Sequence, residues 1–262
     1  MNPYKTHGAI AWPELATSDP EGAAEFYKSV FGWTFDVMPM QAGDYYVGKV
    51  GEAGLCGIMQ VPDPSMPNAW TYYVTVDDAQ ATAERVTELG GTIVVPVMSV
   101  ENVGTFLGIM DPTGAVIMAM QWAEMEGAPE VNFTDGFTTH GAFSWFELRT
   151  HNAEAAADFY SKLFGWTIDR QEMQMGPYMV CKIDEVAFGG IIVPPQDEVP
   201  PHWGGYVTVD DVDALNSRIT DNGGTVAMAR IEAEGVGTFN MFQDPPGAWL
   251  SAAKYVPMET AS

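Results

Sequence analysis

The sequence predicts an α+β chain of two tandem domains, each holding two βαβββ modules, four modules in all, with curved mixed sheets around clefts. Three observations carry this. Shifting the chain by 133 residues aligns 7–122 on 140–255 without a gap, with 51 identities in 116 positions. Within each copy, one strand, one amphipathic helix and three more strands follow in order, and then do so again. Each copy also closes on the same tight turn, Asp111-Pro112-Thr113-Gly114 and Asp244-Pro245-Pro246-Gly247, where Pro fixes φ and Gly supplies the position with φ > 0.

The elements follow from local chemistry. Ala9 to Leu15 reads as a strand, and Asp19-Pro20 opens a helix as N-cap and first-turn proline. Ala23, Phe26, Tyr27, Val30 and Phe31 recur at helical spacing, so that face turns inward, and Gly32 ends the helix. Trp33-Thr34-Phe35, Tyr45-Tyr46-Val47 and Leu55 to Met59 extend as three strands. The Pro-rich 61–67 stretch is a loop. Trp70 to Val76 is a strand, Asp77-Asp78 caps a helix running through Leu89, Gly90-Gly91 ends it, and three strands follow. The second copy repeats this with His140-Gly141-Ala142, Phe164-Gly165-Trp166 and Val207-Thr208-Val209-Asp210-Asp211. Three strands after each helix require antiparallel pairing within a mixed sheet. The expected divisions are 1–122 for the first domain, 123–139 for a linker and 140–262 for the second domain.

Composition narrows the function. The net charge is −24, shared equally by residues 1–126 and the remainder. Such a surface repels phosphate backbones and anionic membranes, which argues against nucleic-acid or membrane partners. No apolar run is long enough to span a bilayer, and the start lacks a signal-peptide pattern. Cys56 and Cys181 are not repeat-equivalents and are expected as reduced thiols, so the chain reads as cytoplasmic.

The strand, the Ala-x-x-Phe-Tyr helix, Phe-Gly-Trp, Val-Asp-Asp, Gly-Gly and Asp-Pro-x-Gly, in this order and twice over, resemble the vicinal oxygen chelate superfamily. Its members include glyoxalase I, bleomycin-resistance proteins and extradiol dioxygenases. The Trp-x-Glu-Leu opening of each half, Trp12 to Leu15 and Trp145 to Leu148, is similar to tandem glyoxalase-like proteins. The resemblance implies two glyoxalase-like domains with paired modules around a cleft. In metal-dependent members, His, Gln or Glu ligands from both modules hold a divalent ion. The matching positions here are Trp12, Cys56-Gly57, Thr71 and Met118 in the first half. In the second they are Trp145, Gly189-Gly190, Gly204 and Ser251. None is a His or a carboxylate, whereas a divalent site needs several such donors. No metal ligand and no cofactor is therefore expected, with a divalent metal disfavoured.

Glu14 and Glu147 share strand parity with Trp12 and Trp145 and are the candidate catalytic residues, each a partner for a ligand amine or a base. Trp12, Tyr45, Trp70, Tyr72 and Met118 are expected to line the first cleft, with Met120 beside them. Trp145, Tyr178, Trp203 and Tyr206 are expected to line the second. Core packing is the competing reading for each of these. His202 is a possible inward-facing donor, while His7 and His140 are expected to make strand-end hydrogen bonds. The leading expectation is a binder of a small planar or aromatic molecule, as in the metal-free bleomycin-resistance branch. The alternative is a lyase, isomerase or dioxygenase with a non-standard metal-ligand set, or a metal-free lyase using Glu14 or Glu147. In a third reading the second half is structural, completing a pseudo-dimer. A further homodimer is left open.

Overall fold

The computed structural model describes residues 1–40, 43–123, 131–173 and 176–256. In the first half, β1 (Ile10–Thr17), α1 (Pro20–Phe31), β2 (Thr34–Met40), β3 (Gly43–Val50) and β4 (Ala53–Gln60) make one module. The next comprises β5 (Ala69–Thr75), α2 (Ala79–Glu88), β6 (Thr92–Val100), β7 (Gly104–Met110) and β8 (Val116–Trp122). In the second half, β9 (Phe143–Arg149), α3 (Ala153–Phe164), β10 (Thr167–Met173), β11 (Gly176–Ile183) and β12 (Val186–Ile192) form a module. The last comprises β13 (His202–Thr208), α4 (Val212–Asp221), β14 (Thr225–Ala233), β15 (Gly237–Gln243) and β16 (Trp249–Tyr255). Four βαβββ modules are thus present.

The helix boundaries have the expected causes. Asp19 accepts a hydrogen bond from the Gly22 amide, and Asp78 and Asp211 do the same for Ala81 and Ala214. Asn152 caps α3 through the Ala155 amide. Gly32 and Gly165 end α1 and α3 in the left-handed conformation.

Two eight-stranded mixed sheets result, ordered β2-β3-β4-β1-β5-β8-β7-β6 and β10-β11-β12-β9-β13-β16-β15-β14. Outer strands pair antiparallel, while β5 with β8, β12 with β9, and β13 with β16 pair in parallel. Of the segment expected as a linker, residues 124–130, with Glu124, Glu126, Gly127 and Pro129, lie outside the described residues. Phe133–Phe137 forms a turn of 3-10 helix, with Phe133 buried.

By proximity of Cα atoms the chain divides into two compact units, each drawing on both halves. One comprises Met1–Glu14, Thr71–Phe133 and Trp145–Gly204; the other comprises Leu15–Trp70, Thr134–Ser144 and Gly205–Ser262. The repeated motifs explain the cohesion of each unit. In the first unit, Trp166 Nε1 donates to the Gly8 carbonyl at 2.8 Å. Gly8 sits at φ +81°, and a Cβ there would lie 2.7 Å from the Phe164 carbonyl oxygen, so only glycine allows this approach. Tyr160, fully buried, donates to Asp111 Oδ2 at 2.9 Å and accepts from Trp203 Nε1 at 3.0 Å. In the second unit, Trp33 donates to the Gly141 carbonyl, Tyr27 to Asp244 Oδ2, and Trp70 to Tyr27. The motifs His-Gly-Ala, Phe-Tyr, Phe-Gly-Trp and Asp-Pro-x-Gly therefore build the cores.

Candidate functional site

Strand alternation decides which side chains share the sheet face away from the helices. On β1, Ala11 and Leu15 are buried, while Trp12 and Glu14 are half-buried between them. Trp12 packs against a cluster of Tyr73, Met118 and Met120, joined by Val95, Phe106 and Trp122. The register agrees, with Tyr73 opposite Met118 and Phe106 opposite Met120. The Tyr73 hydroxyl donates to Glu14 Oε1 at 2.7 Å. The Trp122 indole donates to Thr75 Oγ1 at 2.9 Å and meets Tyr4 edge-on at 5.2 Å. This is an aromatic and methionine-rich cluster, buried at its centre and half-buried at its margin, with the Glu14 carboxylate beside it.

The equivalent surface of the second half, on β9, β11, β12 and β13, is polar. Glu147 is 7% exposed. Arg149 Nη2 holds Glu147 Oε1 at 2.7 Å, and the Tyr178 hydroxyl donates to Oε2 at 3.1 Å. Trp145 Nε1 in turn donates to the Tyr178 hydroxyl at 2.8 Å. Two glycines make room for this chain of contacts. A Cβ on Gly190 would collide with the Tyr178 ring, and one on Gly204 would sit 3.0 Å from Arg149 Nη1. His202, two residues before Gly204, has Nδ1 2.8 Å from the Pro200 carbonyl oxygen. Burial, with the Arg149 charge adding to it, lowers the His202 pKa.

Three expected cleft residues face the other way. Trp70 and Trp203 send their indole N–H groups to Tyr27 and Tyr160 in the cores. Tyr72 is 1% exposed and packs edge-on against Phe146 at 5.2 Å. The reason is strand parity. Thr71 and Tyr73 share one face of β5, so Trp70 and Tyr72 must share the opposite one, and Trp203 follows on β13. Tyr45 is half-buried on β3, of opposite parity to Tyr46. Tyr206 stands opposite Ser251 and meets the Phe239 ring edge-on at 5.8 Å.

Sequence reading missed Tyr73 and Arg149. Both could have been found from parity, since Tyr73 lies two residues from Thr71 and Arg149 two from Glu147. His7 and His140 accept from the Asp77 and Asp210 amides at 3.3 Å, a strand-end role. Cys56 and Cys181 are buried free thiols, and burial pushes the Cys181 thiol far up. Among the described residues, no group of three or more His, Cys, Asp or Glu side chains converges as a metal site would require.

The same fold is found in a solved glyoxalase and a solved 2,3-dioxygenase. The chain belongs to the Glyoxalase/Bleomycin resistance protein/Dioxygenase superfamily, whose family model matches residues 9–119 and 142–251. It is 33% identical over 258 residues to a Mycobacterium tuberculosis protein named "Putative glyoxylase CFP32", covering 96% of this chain and 97% of that one. It is 28% identical to "Anthracycline biosynthesis protein DnrV" of Streptomyces peucetius, over 84% of this chain and 83% of the relative. Among solved structures, the 2,3-dioxygenase LapB of Pseudomonas sp. KL28 superposes with TM-score 0.65 at 13% identity, covering 98% of this chain and 96% of that one. The Mn(II)-bound glyoxalase of Novosphingobium aromaticivorans gives 0.62 at 13% identity, covering 98% and 86%. At such identity these two structures establish the fold alone.

Proposed function

We propose that this protein binds a small planar aromatic molecule on the sheet face bearing Trp12, Tyr73, Phe106, Met118 and Met120, without a protein-held divalent metal. One observation carries the reading: two of the positions where metal-dependent relatives place ligands carry apolar side chains that pack together. Trp12 and Met118 occupy two of those positions and pack in one cluster. Glu147 is already engaged by Arg149 and Tyr178. This donor set does not fit a divalent ion, so no chemical step is routed through one. Aromatic rings and polarisable thioethers suit a flat π-system, and Glu14 at the border is placed to accept a hydrogen bond from a ligand N–H or O–H. The relative named for anthracycline biosynthesis points to planar polycyclic aromatics as the class to screen first.

The alternative is catalysis by a metal-free lyase or isomerase, favoured by the 2.7 Å Tyr73–Glu14 hydrogen bond, which places a carboxylate and a phenol side by side. The buried free thiols favour a reducing, cytoplasmic setting.

The test is titration with anthraquinone-2-carboxamide, followed by quenching of tryptophan fluorescence. Saturable binding, weakened about tenfold or more by Trp12→Ala, is expected, a loss of about 1.4 kcal/mol. Absence of saturable quenching would overturn the reading. In parallel, excess Mn(II), Ni(II) or Zn(II) should leave the melting temperature unchanged. Metal held at 100 times its Kd would stabilise the fold by about 2.7 kcal/mol, and such a shift would refute metal independence.

A further inference from the structure

The duplication places the same strands in both halves but not the same side chains on them. Register puts Tyr206, Ser251, Met241 and Met228 in one row across β13, β16, β15 and β14. The next row holds Thr208, Ala253, Phe239 and Ile231. Asn240, between Phe239 and Met241, donates to Asn216 Oδ1 of α4 at 2.7 Å. Alternation therefore turns both rows, and Trp249 two residues before Ser251, away from that helix. In the first half the places of Ser251 and Ala253 hold Met118 and Met120, and that of Met241 holds Gly108. We propose that Ser251 and Ala253 floor a second ligand groove along β16, which takes one uncharged planar aromatic molecule whose ring oxygen bonds the Ser251 hydroxyl. The class of ligand rests on the aromatic-ligand reading above, while the site is a different one.

The floor is low because both of its side chains are short, and it is deep, with Ala253 at 0% and Ser251 at 4% exposure. Tyr206 and Phe239 stand two strands apart, about 10 Å. Their rings nevertheless meet edge-on at 5.8 Å, which they can do only above β16. They close the groove at its Ala253 end. Toward the other end Trp249 and Met228 are exposed, so an indole and thioethers are offered to a flat π-system. The Ser251 hydroxyl takes no partner among the described residues. A buried hydroxyl left unpaired is costly, and a ligand carbonyl oxygen would accept its proton. Neither row carries a charge, nor does Trp249, so a charged ligand would lose water without gaining a counter-ion.

The test counts equivalents of anthraquinone-2-carboxamide bound by the whole protein in calorimetry. The wild type is expected to bind two. One should be lost in Trp12→Ala and the other in Ser251→Met, which sets on the floor the residue type of Met118 in the first half. Ser251→Ala adds no volume, so it keeps the test valid if the methionine disturbs folding. It should retain both equivalents and weaken one of them about threefold to tenfold, as loss of one hydrogen bond does. Binding that neither Ser251 variant changes overturns the groove, and leaves the first face standing where Trp12→Ala weakens it. A single equivalent lost in Ser251→Met and kept in Trp12→Ala supports the groove and overturns the first face. A single equivalent lost in both overturns the groove as a separate site. If the probe does not bind at all, both readings fall.

Discussion

Tyr160 and Tyr27 are fully buried phenols that keep their hydroxyls because each has a donor and an acceptor in place. Burial, with the neighbouring carboxylate adding to it, raises both phenols well above their ordinary value. Removing either hydroxyl strands two groups: the Asp carboxylate loses a donor and the Trp indole loses its acceptor. Tyr160→Phe should therefore destabilise the protein by about 2–3 kcal/mol, measured by urea unfolding, a cost set by the unsatisfied buried groups. Asp244 adds a pH signature. Burial raises its carboxyl above 3.8, outweighing the hydrogen bonds from Ala248, Tyr27 and Gly247 that lower it. A group that holds its proton more tightly when folded contributes most below its unfolded pKa. That contribution is lost as pH rises through the folded value. Asp244→Asn should thus flatten stability against pH just above 3.8, and an unchanged slope would contradict the assignment. His202 has the opposite sense, since a lowered imidazole pKa makes stability fall as pH drops below 6.5.

At the scale of elements, the strand rule that side chains alternate decides the candidate site, and an error of one residue inverts it. Trp12 was marked on β1 as a ligand position of the resembled family, and Glu14 because it shares the parity of Trp12. On β5, Trp70, Tyr72 and Tyr73 are all aromatic, so composition alone does not mark the face, and only the register opposite Met118 assigns it to Tyr73. The glycines of β12 and β13 were marked only as falling at ligand positions of the resembled family, whereas in the fold they make space for neighbouring side chains. Gly190→Ala should push Tyr178 off Glu147 and cost about 1–3 kcal/mol by overpacking. It should also displace the denaturant midpoint. An unchanged midpoint would show that the tyrosine ring has room to move.

For the whole molecule, each compact unit draws on both halves. Halves 1–122 and 140–262, made as separate chains and mixed, are therefore expected to combine as a one-to-one complex, which native mass spectrometry would detect. Two stable, non-associating monomers would show that each half completes its own core. The chain alone specifies the helices, caps, turns and strand order, because Asp19, Gly32 and Asp111 act through neighbours a few residues away. It also specifies the duplication. Module pairing was left open by the sequence for a physical reason. Tyr27 matches Tyr160 and Asp111 matches Asp244, so the pattern is satisfied whether a tyrosine meets the aspartate of its own half or of the other. Packing alone chose Tyr27 with Asp244 and Tyr160 with Asp111, and it laid Arg149 beside Glu147 over a glycine.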